Sequence, residues 1–441
     1  MSQQKQNSNI VAIVTMVFLF AMISFVTNLA VPLGDLWKER PALLEAGNFW
    51  GKMGNMMNFL AYLFMGIPAG NMLVKLGYKK TALVAVAVGF FGILVQFLSG
   101  TIGETNTMFN IPVAFFVYLL GAFISGFSVC MLNTVVNPML NLLGGGGNKG
   151  NQYIQIGGTF NSLVGTLTPM VCGALIGNIV ADTPISNVNP VLFTAMGVFA
   201  ATFIILSFIP IADPEGSTGQ TKFERSPWAF RHFMLGVIAI FIYVGVEVGT
   251  PGILMSYLSN TTDAGAGLTV NAMATAGFVA GTYWFMMLIG RFIFGSVLGG
   301  KVSSKTLLTC ASAIGIVLVL LAIFIPKTVT TSMPIFTGSG FAMATVPISA
   351  LFIVLVGLCT SIMWGGIFNL AVEGLGKYTA QASGIFMMMV VGGGILPLLQ
   401  GGIADLAGYM PSYWLIIAGM AYMLYYAVVG CKNVNKDIPV D

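Results

Sequence analysis

The sequence predicts an all-α integral membrane protein, with twelve transmembrane helices arranged as two six-helix pseudo-repeat halves. Three observations predict it. First, the 441 residues are 57% hydrophobic and 7% charged, with a mean hydropathy of +0.91, whereas soluble domains are about 25% charged. Second, the chain holds twelve apolar runs of the length that spans a bilayer, about 20 residues. They are 10–34, 51–74, 79–99, 112–142, 153–180, 189–210, 233–258, 270–298, 304–326, 347–374, 378–404 and 410–430. Their length and continuity specify helices rather than barrel strands. Third, the one sizeable hydrophilic stretch, 211–232 (IADPEGSTGQTKFERSPWAFRH), divides the runs six and six. The expected organisation is an N-terminal half over 1–210, a cytoplasmic linker over 211–232 and a C-terminal half over 233–441.

Taken in order, the runs carry polar residues where hydrocarbon should exclude them. The first contains Asn28. Asp35 and the Lys38-Glu39-Arg40 cluster follow and are expected to form a solvated outer mouth. The second sets Asn55, Asn58 and Tyr62 at i, i+3 and i+7, which is one helix face. The fourth carries Asn133, Asn137 and Asn141 at i, i+4 and i+8. The fifth adds Gln152, Asn161 and a small-and-polar stripe of Gln155, Gly158, Ser162, Gly165 and Pro169. An unpaired amide in hydrocarbon costs roughly 2–7 kcal/mol. Such groups therefore face one another, another helix or a polar solute. In the second half, Tyr243 and Glu247 share a face at i, i+4 of the seventh run. Trp364 and Asn369 lie in the tenth, and Gly392-Gly393-Gly394 with Pro397 in the eleventh. Glu247 is the only carboxylate well inside a run. The lone His232, beside Arg231, is expected to be solvated at the interface.

The halves read as repeats. Gly70 and Gly295 are each followed ten positions later by Lys-Thr (Lys80-Thr81, Lys305-Thr306). Gly158 and Phe160 match Gly384 and Phe386 at one common offset, and Pro169 and Pro397 follow at nearly that offset. Paired repeats with a midplane site between them are a transporter architecture. With the N-terminus cytoplasmic, every Lys and Arg falls inside except Lys38, Arg40, Lys52 and Lys327. The positive-inside rule then places both termini in the cytoplasm of a cytoplasmic (inner) membrane protein.

The basic loop Gly70-Asn-Met-Leu-Val-Lys-Leu-Gly77-Tyr-Lys-Lys80 resembles the signature of the major facilitator superfamily, with Val74 where aspartate is usual. A wider set resembles the fucose/glucose/galactose permease family, the fucose–proton symporters, over nearly the whole chain. It comprises Asn137-Pro138, Thr159-Phe160-Asn161-Ser162, Tyr243-Val-Gly-Val-Glu247, Ile289-Gly290-Arg291-Phe292, Gly357-Leu-Cys-Thr-Ser-Ile362 with Ile367-Phe368, Gly374-Leu-Gly376, and Gly392-Gly-Gly394 with Pro397. The resemblance implies sugar transport by alternating access. The chain departs from the family pattern at four places. Asn133 stands for the span-four glutamate, and Gly158 for the glutamine before Thr-Phe-Asn-Ser. Gly34 or Asp35 aligns with the aspartate of span one, and Gly365-Gly366 replaces a proline after the span-ten aromatic.

A sugar needs amides and carboxylates for its hydroxyls and an aromatic face for its ring. The candidate substrate-binding residues are Asn28, Asn55, Asn58, Asn133, Asn137, Gln155, Asn161, Tyr243, Glu247, Trp364 and Asn369. Helix-to-helix bonding of the same amides is the alternative. Glu247 and Asp35 are candidates for proton or cation coupling. For Glu247 a hydroxyl contact or a structural bond competes with that role. Lys75, Lys79, Lys80, Arg291, Lys305 and Glu373 are candidate gating residues. The five cysteines have neither disulfide-framework nor metal-ligand spacing. Gly144–Gly147 followed by Asn-Lys-Gly is not a P-loop, and no nucleophile–His–acid set is present. No cofactor, metal, nucleic acid or enzymatic activity is expected. The partners are a sugar, the lipid bilayer and a coupling proton or other cation. The expected function is secondary transport of a small neutral polar solute, a monosaccharide first, driven by a proton, another cation or the solute's own gradient. Transport of a nucleoside or amino sugar, or a non-transporting sensor or scaffold, are the alternatives.

Overall fold

The computed structural model describes residues 3–435 apart from 103–105, 144–146, 177–178, 180–182, 210–225, 269, 294–301, 338 and 376–378. Most of the expected linker therefore lies outside the described residues. Among those described, twelve helices are long and apolar enough to cross a bilayer. Span 1 is Ile10–Lys38, span 2 Pro41–Leu73, span 3 Lys75–Ile102, span 4 Val113–Asn137, span 5 Ile156–Ile176 and span 6 Ile185–Phe208. Span 7 is Arg231–Ser259, span 8 Ala272–Ile293, span 9 Ser304–Phe324, span 10 Ile348–Val372, span 11 Ile385–Ala407 and span 12 Tyr409–Gly430. Spans 7 and 8 are the most buried, with 67% of their apolar windows inside the protein.

Local chemistry sets where the helices break. Spans 2 and 3 run on as one long helix except at Gly77, whose φ of 80° is in the left-handed region that only glycine enters freely. Spans 10 and 11 are each discontinuous. The first helix of span 10 ends at Thr360 and the second begins at Met363. The helices of span 11 meet between Met389 and Gly392. Hairpins join some spans on the face opposite the termini. β1 (Thr107–Met108) pairs with β2 (Ile111–Pro112) across Phe109 and Asn110, both at positive φ. β3 (Thr330–Phe336) pairs with β4 (Phe341–Pro347) between spans 9 and 10.

A proline inside a span withholds an N–H from the carbonyl four residues earlier. Spans 1, 5, 7 and 11 contain Pro32, Pro169, Pro251 and Pro397. In span 11 the consequence is visible. Pro397 frees the Gly393 carbonyl, and Asn55 Nδ2 of span 2 donates to it at 2.8 Å. In hydrocarbon such a carbonyl has no water to turn to, so the break in one half is satisfied by an amide from the other.

The two halves meet along span 2 against span 11 and span 5 against span 8, pairs that the sequence repeat exchanges. The span 5–span 8 seam is built on absent side chains. A Cβ on Gly277 would collide with the Pro169 carbonyl, and one on Gly281 would lie 2.5 Å from the Thr166 carbonyl. Small residues of this kind let helix backbones approach closely without hydrophobic help from water. Gly277→Val should therefore insert into the membrane but fail to close this seam, and lose at least about tenfold in transport rate. Measurement is by uptake into vesicles normalised to the amount of protein in the membrane.

Candidate functional site

A narrow cleft lies where the halves face each other within the spans. Its N-terminal wall is Thr27, Asn28 and Val31 of span 1 with Pro169 of span 5. Its C-terminal wall is Val248, Pro251, Gly252 and Met255 of span 7 with Ala280 and Trp284 of span 8. The span 7 residues fall at i, i+3, i+4 and i+7, so one helix face supplies them. Asn28 is the polar anchor. Its Nδ2 donates to the Ser24 carbonyl at 2.9 Å and lies 3.2 Å from Ser24 Oγ, which fixes the amide against its own helix. Across the cleft the Trp284 indole packs on span 5, whose Gly165 leaves room for the ring. One polar amide facing an aromatic and aliphatic wall is the chemistry that meets a sugar's hydroxyls and C–H face, although in this state the space between the walls is closed down to about one water.

Beside the cleft, Glu247 is ion-paired. Its Oε1 lies 3.3 Å from Arg291 Nη2, and both side chains are about one-seventh exposed. Arg291 Nη1 donates to the Gly158 carbonyl of span 5 at 2.9 Å. One guanidinium thus holds an acid of its own half and a backbone acceptor of the other. Gly158 makes this possible. A Cβ there would sit 3.4 Å from Nη1, so a longer side chain would compete for the guanidinium's place. Glu247 thus has a charged partner that its place in the apolar run did not disclose. The sequence hid the pairing because Arg291 lies 44 residues away and reaches inward from the far end of span 8.

A second polar cluster closes the face opposite the termini. Ser256 Oγ donates to Asp35 Oδ1 at 2.9 Å and accepts from Lys52 Nζ at 2.8 Å. Lys52 Nζ also donates to the Gly252 carbonyl at 2.8 Å, and Lys38 Nζ to the Ser256 carbonyl at 3.2 Å. Lys38 lies 3.4 Å from Asp35. Asp405 of span 11 accepts from the backbone N–H groups of Asn48 and Phe49 at 2.9 and 2.8 Å, placing a carboxylate at the positive end of the helix that begins there. The expected solvated mouth is therefore corrected: Asp35, Lys38 and Arg40 are buried, Asp35 and Lys38 against Ser256 of the opposing half and Arg40 against the Thr183 carbonyl of its own half at 2.6 Å. Glu39, in the turn between spans 1 and 2, stays partly accessible. Burial pushes its carboxyl above the usual range while Lys38 pulls it down.

The other predicted residues divide between the two halves' interiors. Asn133 Nδ2 donates to Tyr62 Oη at 2.6 Å, and Asn137 Nδ2 to the Asn133 carbonyl at 3.1 Å. Asn161 Nδ2 donates to the Phe20 carbonyl at 2.8 Å. Asn58 lines a small enclosed pocket inside the N-terminal half, with Gln96, Tyr118 and Ser125. Tyr243 donates to the Thr360 carbonyl at 3.1 Å, and its ring centroid is 6.2 Å from that of Trp364. Asn369 is exposed on span 10, and the side chain of Gln155 lies outside the described residues. At the face carrying the termini, Lys75, Lys80, Lys305 and Glu373 are exposed. Lys79 donates to the Ser207 carbonyl at 2.9 Å. His232 is buried against the Glu373 carbonyl at 3.0 Å, not solvated. Trp284, Lys52 and Ser256 were not singled out from the sequence. Trp284 had a signal there, since it precedes Arg291 by seven residues and so shares its helix face.

No family model matches the chain. A glucose/galactose transporter of Brucella abortus is 30% identical over 383 residues, 85% of this chain and 84% of that one. The chain belongs to the fucose/glucose/galactose permease family of the major facilitator superfamily. Another relative, the L-fucose-proton symporter of Escherichia coli, is 24% identical over 400 residues, 84% of this chain and 82% of that protein. A crystal structure of the E. coli fucose:proton symporter covers 97% of this chain and 100% of its own at 19% identity, with a TM-score of 0.65. That likeness extends to the fold, which is the major facilitator fold. Against the family pattern, the side chain missing at Gly158 leaves its carbonyl to Arg291, which also holds Glu247, while Asn133, in place of the acid, bonds Tyr62 within its own half.

Breaking a buried ion pair from one side leaves an uncompensated charge, at a cost of about 3–5 kcal/mol, whereas removing both partners is far milder. Glu247→Gln and Arg291→Gln should each lower the thermal midpoint of the detergent-solubilised protein. The double variant should recover most of the loss. Strict additivity of the two single effects would show that the pair is not coupled.

Proposed function

We propose that this chain is a secondary transporter that carries a monosaccharide across the cytoplasmic membrane by alternating access, with both termini in the cytoplasm. The residues 1–210 and 233–441 act as the two bodies that rock against each other. The single observation that carries the reading is the cleft between spans 1, 5, 7 and 8, where Asn28 faces Trp284 in a family member whose relatives are named for glucose, galactose and fucose. A transported hexose places hydroxyls against Asn28 and stacks C–H groups on the indole.

Glu247 is the proposed proton carrier. Protonation removes the negative charge that orients Arg291, and the guanidinium then no longer has a reason to stay at the Gly158 carbonyl of the opposite half. Proton occupancy and contact between the halves are coupled through one side chain. Asp35 is the second coupling candidate. It sits in the cluster that closes the far face, where the ammonium groups of Lys38 and Lys52 both rely on it or on Ser256. The described state, closed through Ser256 on the face opposite the termini, is the one in which the solute leaves towards the cytoplasm.

Purified protein in proteoliposomes, given labelled glucose, galactose and fucose with and without an imposed pH gradient, tests this reading. Saturable uptake of at least one sugar is expected, with gradient-driven accumulation collapsed by protonophore. Glu247→Gln should keep counterflow exchange and lose accumulation. Asn28→Ala and Trp284→Ala should each raise the half-saturating concentration about tenfold or more. Uptake indifferent to both protonophore and Glu247→Gln would remove Glu247 as the carrier, and absence of any sugar flux would remove the function.

A further inference from the structure

Inside the N-terminal half, spans 2, 3 and 4 border a second pocket, walled on the span 1 side by Val26 and Leu29. Its polar lining is Asn58 of span 2, Gln96 of span 3, and Tyr118 and Ser125 of span 4. Asn58 is 4% exposed and Tyr118 2%. Among the described residues, neither Asn58 Oδ1 nor Tyr118 Oη has a hydrogen-bond partner. They border one space and do not bond each other. Ser125 Oγ accepts from Gln96 Nε2 at 3.1 Å, which leaves the serine hydrogen for another acceptor. Backbone contact fixes these positions. A Cβ on Gly126 of span 4 would collide with the Asn58 carbonyl, and one on Gly54 of span 2 with the Tyr118 hydroxyl. The helices are already as close as glycine allows, so the pocket cannot close by their approach. A buried acceptor and a buried hydroxyl without partners are costly within a bilayer, where no bulk water reaches them.

We infer that this pocket is a binding site for one water molecule, which donates to Asn58 Oδ1 and accepts from Tyr118 Oη and Ser125 Oγ. The space holds about one water. Buried waters make about three hydrogen bonds, and the lining offers one acceptor and two donors for them. The lining residues are uncharged, so a metal cation would enter without compensation. A sugar is far too large for the space. Every lining residue belongs to spans 1 to 4, so the site lies within one half and not between the two. The water bridges span 2 to span 4 and joins the Gln96–Ser125 bond between spans 3 and 4. It is an internal strut of a half that must move as one body when the halves rock. Asn58 then serves this water rather than the transported solute. The inference goes beyond the transport reading and does not depend on which solute is carried.

Thermal midpoints of the purified full chain test the site through a change of sign. With water bound, Tyr118→Phe removes a hydrogen bond and should lower the midpoint. In the Asn58→Leu background the leucine fills the space, expels the water and leaves the Tyr118 hydroxyl without a partner. Adding Tyr118→Phe there removes a buried unsatisfied group and should raise the midpoint. The same sign in both backgrounds overturns the inference: two rises mean a dry pocket, and two falls mean a hydroxyl bonded elsewhere. A midpoint raised by sodium chloride over choline chloride in the native chain, and not in Asn58→Leu, identifies a cation and overturns it as well. If Asn58→Leu does not fold, Tyr118→Phe alone still carries the sign, and a map of the native protein that resolves ordered waters supplies the second reading. One oxygen-sized peak within hydrogen-bond distance of both Asn58 Oδ1 and Tyr118 Oη is the expected result. An empty pocket, or a direct bond between those two side chains, overturns the inference.

Discussion

A polar group in the interior of a bilayer has no water to fall back on, so each one must find a partner in the protein or in what the protein binds. That requirement organises this molecule. The amides of spans 2, 4 and 5 pair between neighbouring helices. Ser256 gathers Asp35 and Lys52, with Lys38 on its carbonyl. Arg291 takes Glu247 with one nitrogen and Gly158 with the other. Several of these bonds join the two halves rather than the helices of one half. Separating the halves therefore means exchanging one set of partners for another, which is the physical content of alternating access.

The chemistry at the two faces differs. The face opposite the termini is held by two ammonium groups, two carboxylates and a hydroxyl, with Asp405 seated at a helix N-terminus. Nearer the termini, the guanidinium of Arg291 on a backbone oxygen joins the halves. The first cluster is redundant and sealed. The second pairs with one carboxylate, Glu247, the proposed proton carrier. The departures from the family pattern fit this division. With Asn133 in place of an acid, span 4 bonds Tyr62 and carries no charge. The acid stands instead on span 7, and Gly158 gives Arg291 access to span 5.

Much of the fold was legible in the sequence. Twelve runs became twelve spans, and the run 112–142 matches the helix Val113–Leu143 to within one residue at each end. Hydrocarbon thickness fixes helix length, and that signal is local. The breaks in spans 10 and 11 were not read, because apolar residues continue through both and the break follows from packing. The site was less legible. Asn28 and Glu247 stood out as polar exceptions in apolar runs. Trp284 did not, since a buried aromatic in a membrane helix is ordinary until its neighbours are known. The pairing of Glu247 with Arg291 is a contact between separate spans that no spacing rule encodes. The bonds of Asp35 and Lys38 to Ser256 of the opposite half, and of Arg40 to the distant Thr183 carbonyl, are likewise contacts that no local pattern announces.

The central claim is that the solute sits in the cleft between spans 1, 5, 7 and 8, against Trp284. Trp284 is one of six tryptophans and the only one that borders the cleft among the described residues. Tryptophan fluorescence of the purified protein, titrated with D-galactose and D-glucose, reads that contact directly. A saturable change with at least one sugar, lost in Trp284→Phe and retained in Trp364→Phe, is the predicted result. A sugar-dependent change that survives in Trp284→Phe and disappears in Trp364→Phe would place the solute elsewhere and contradict the account.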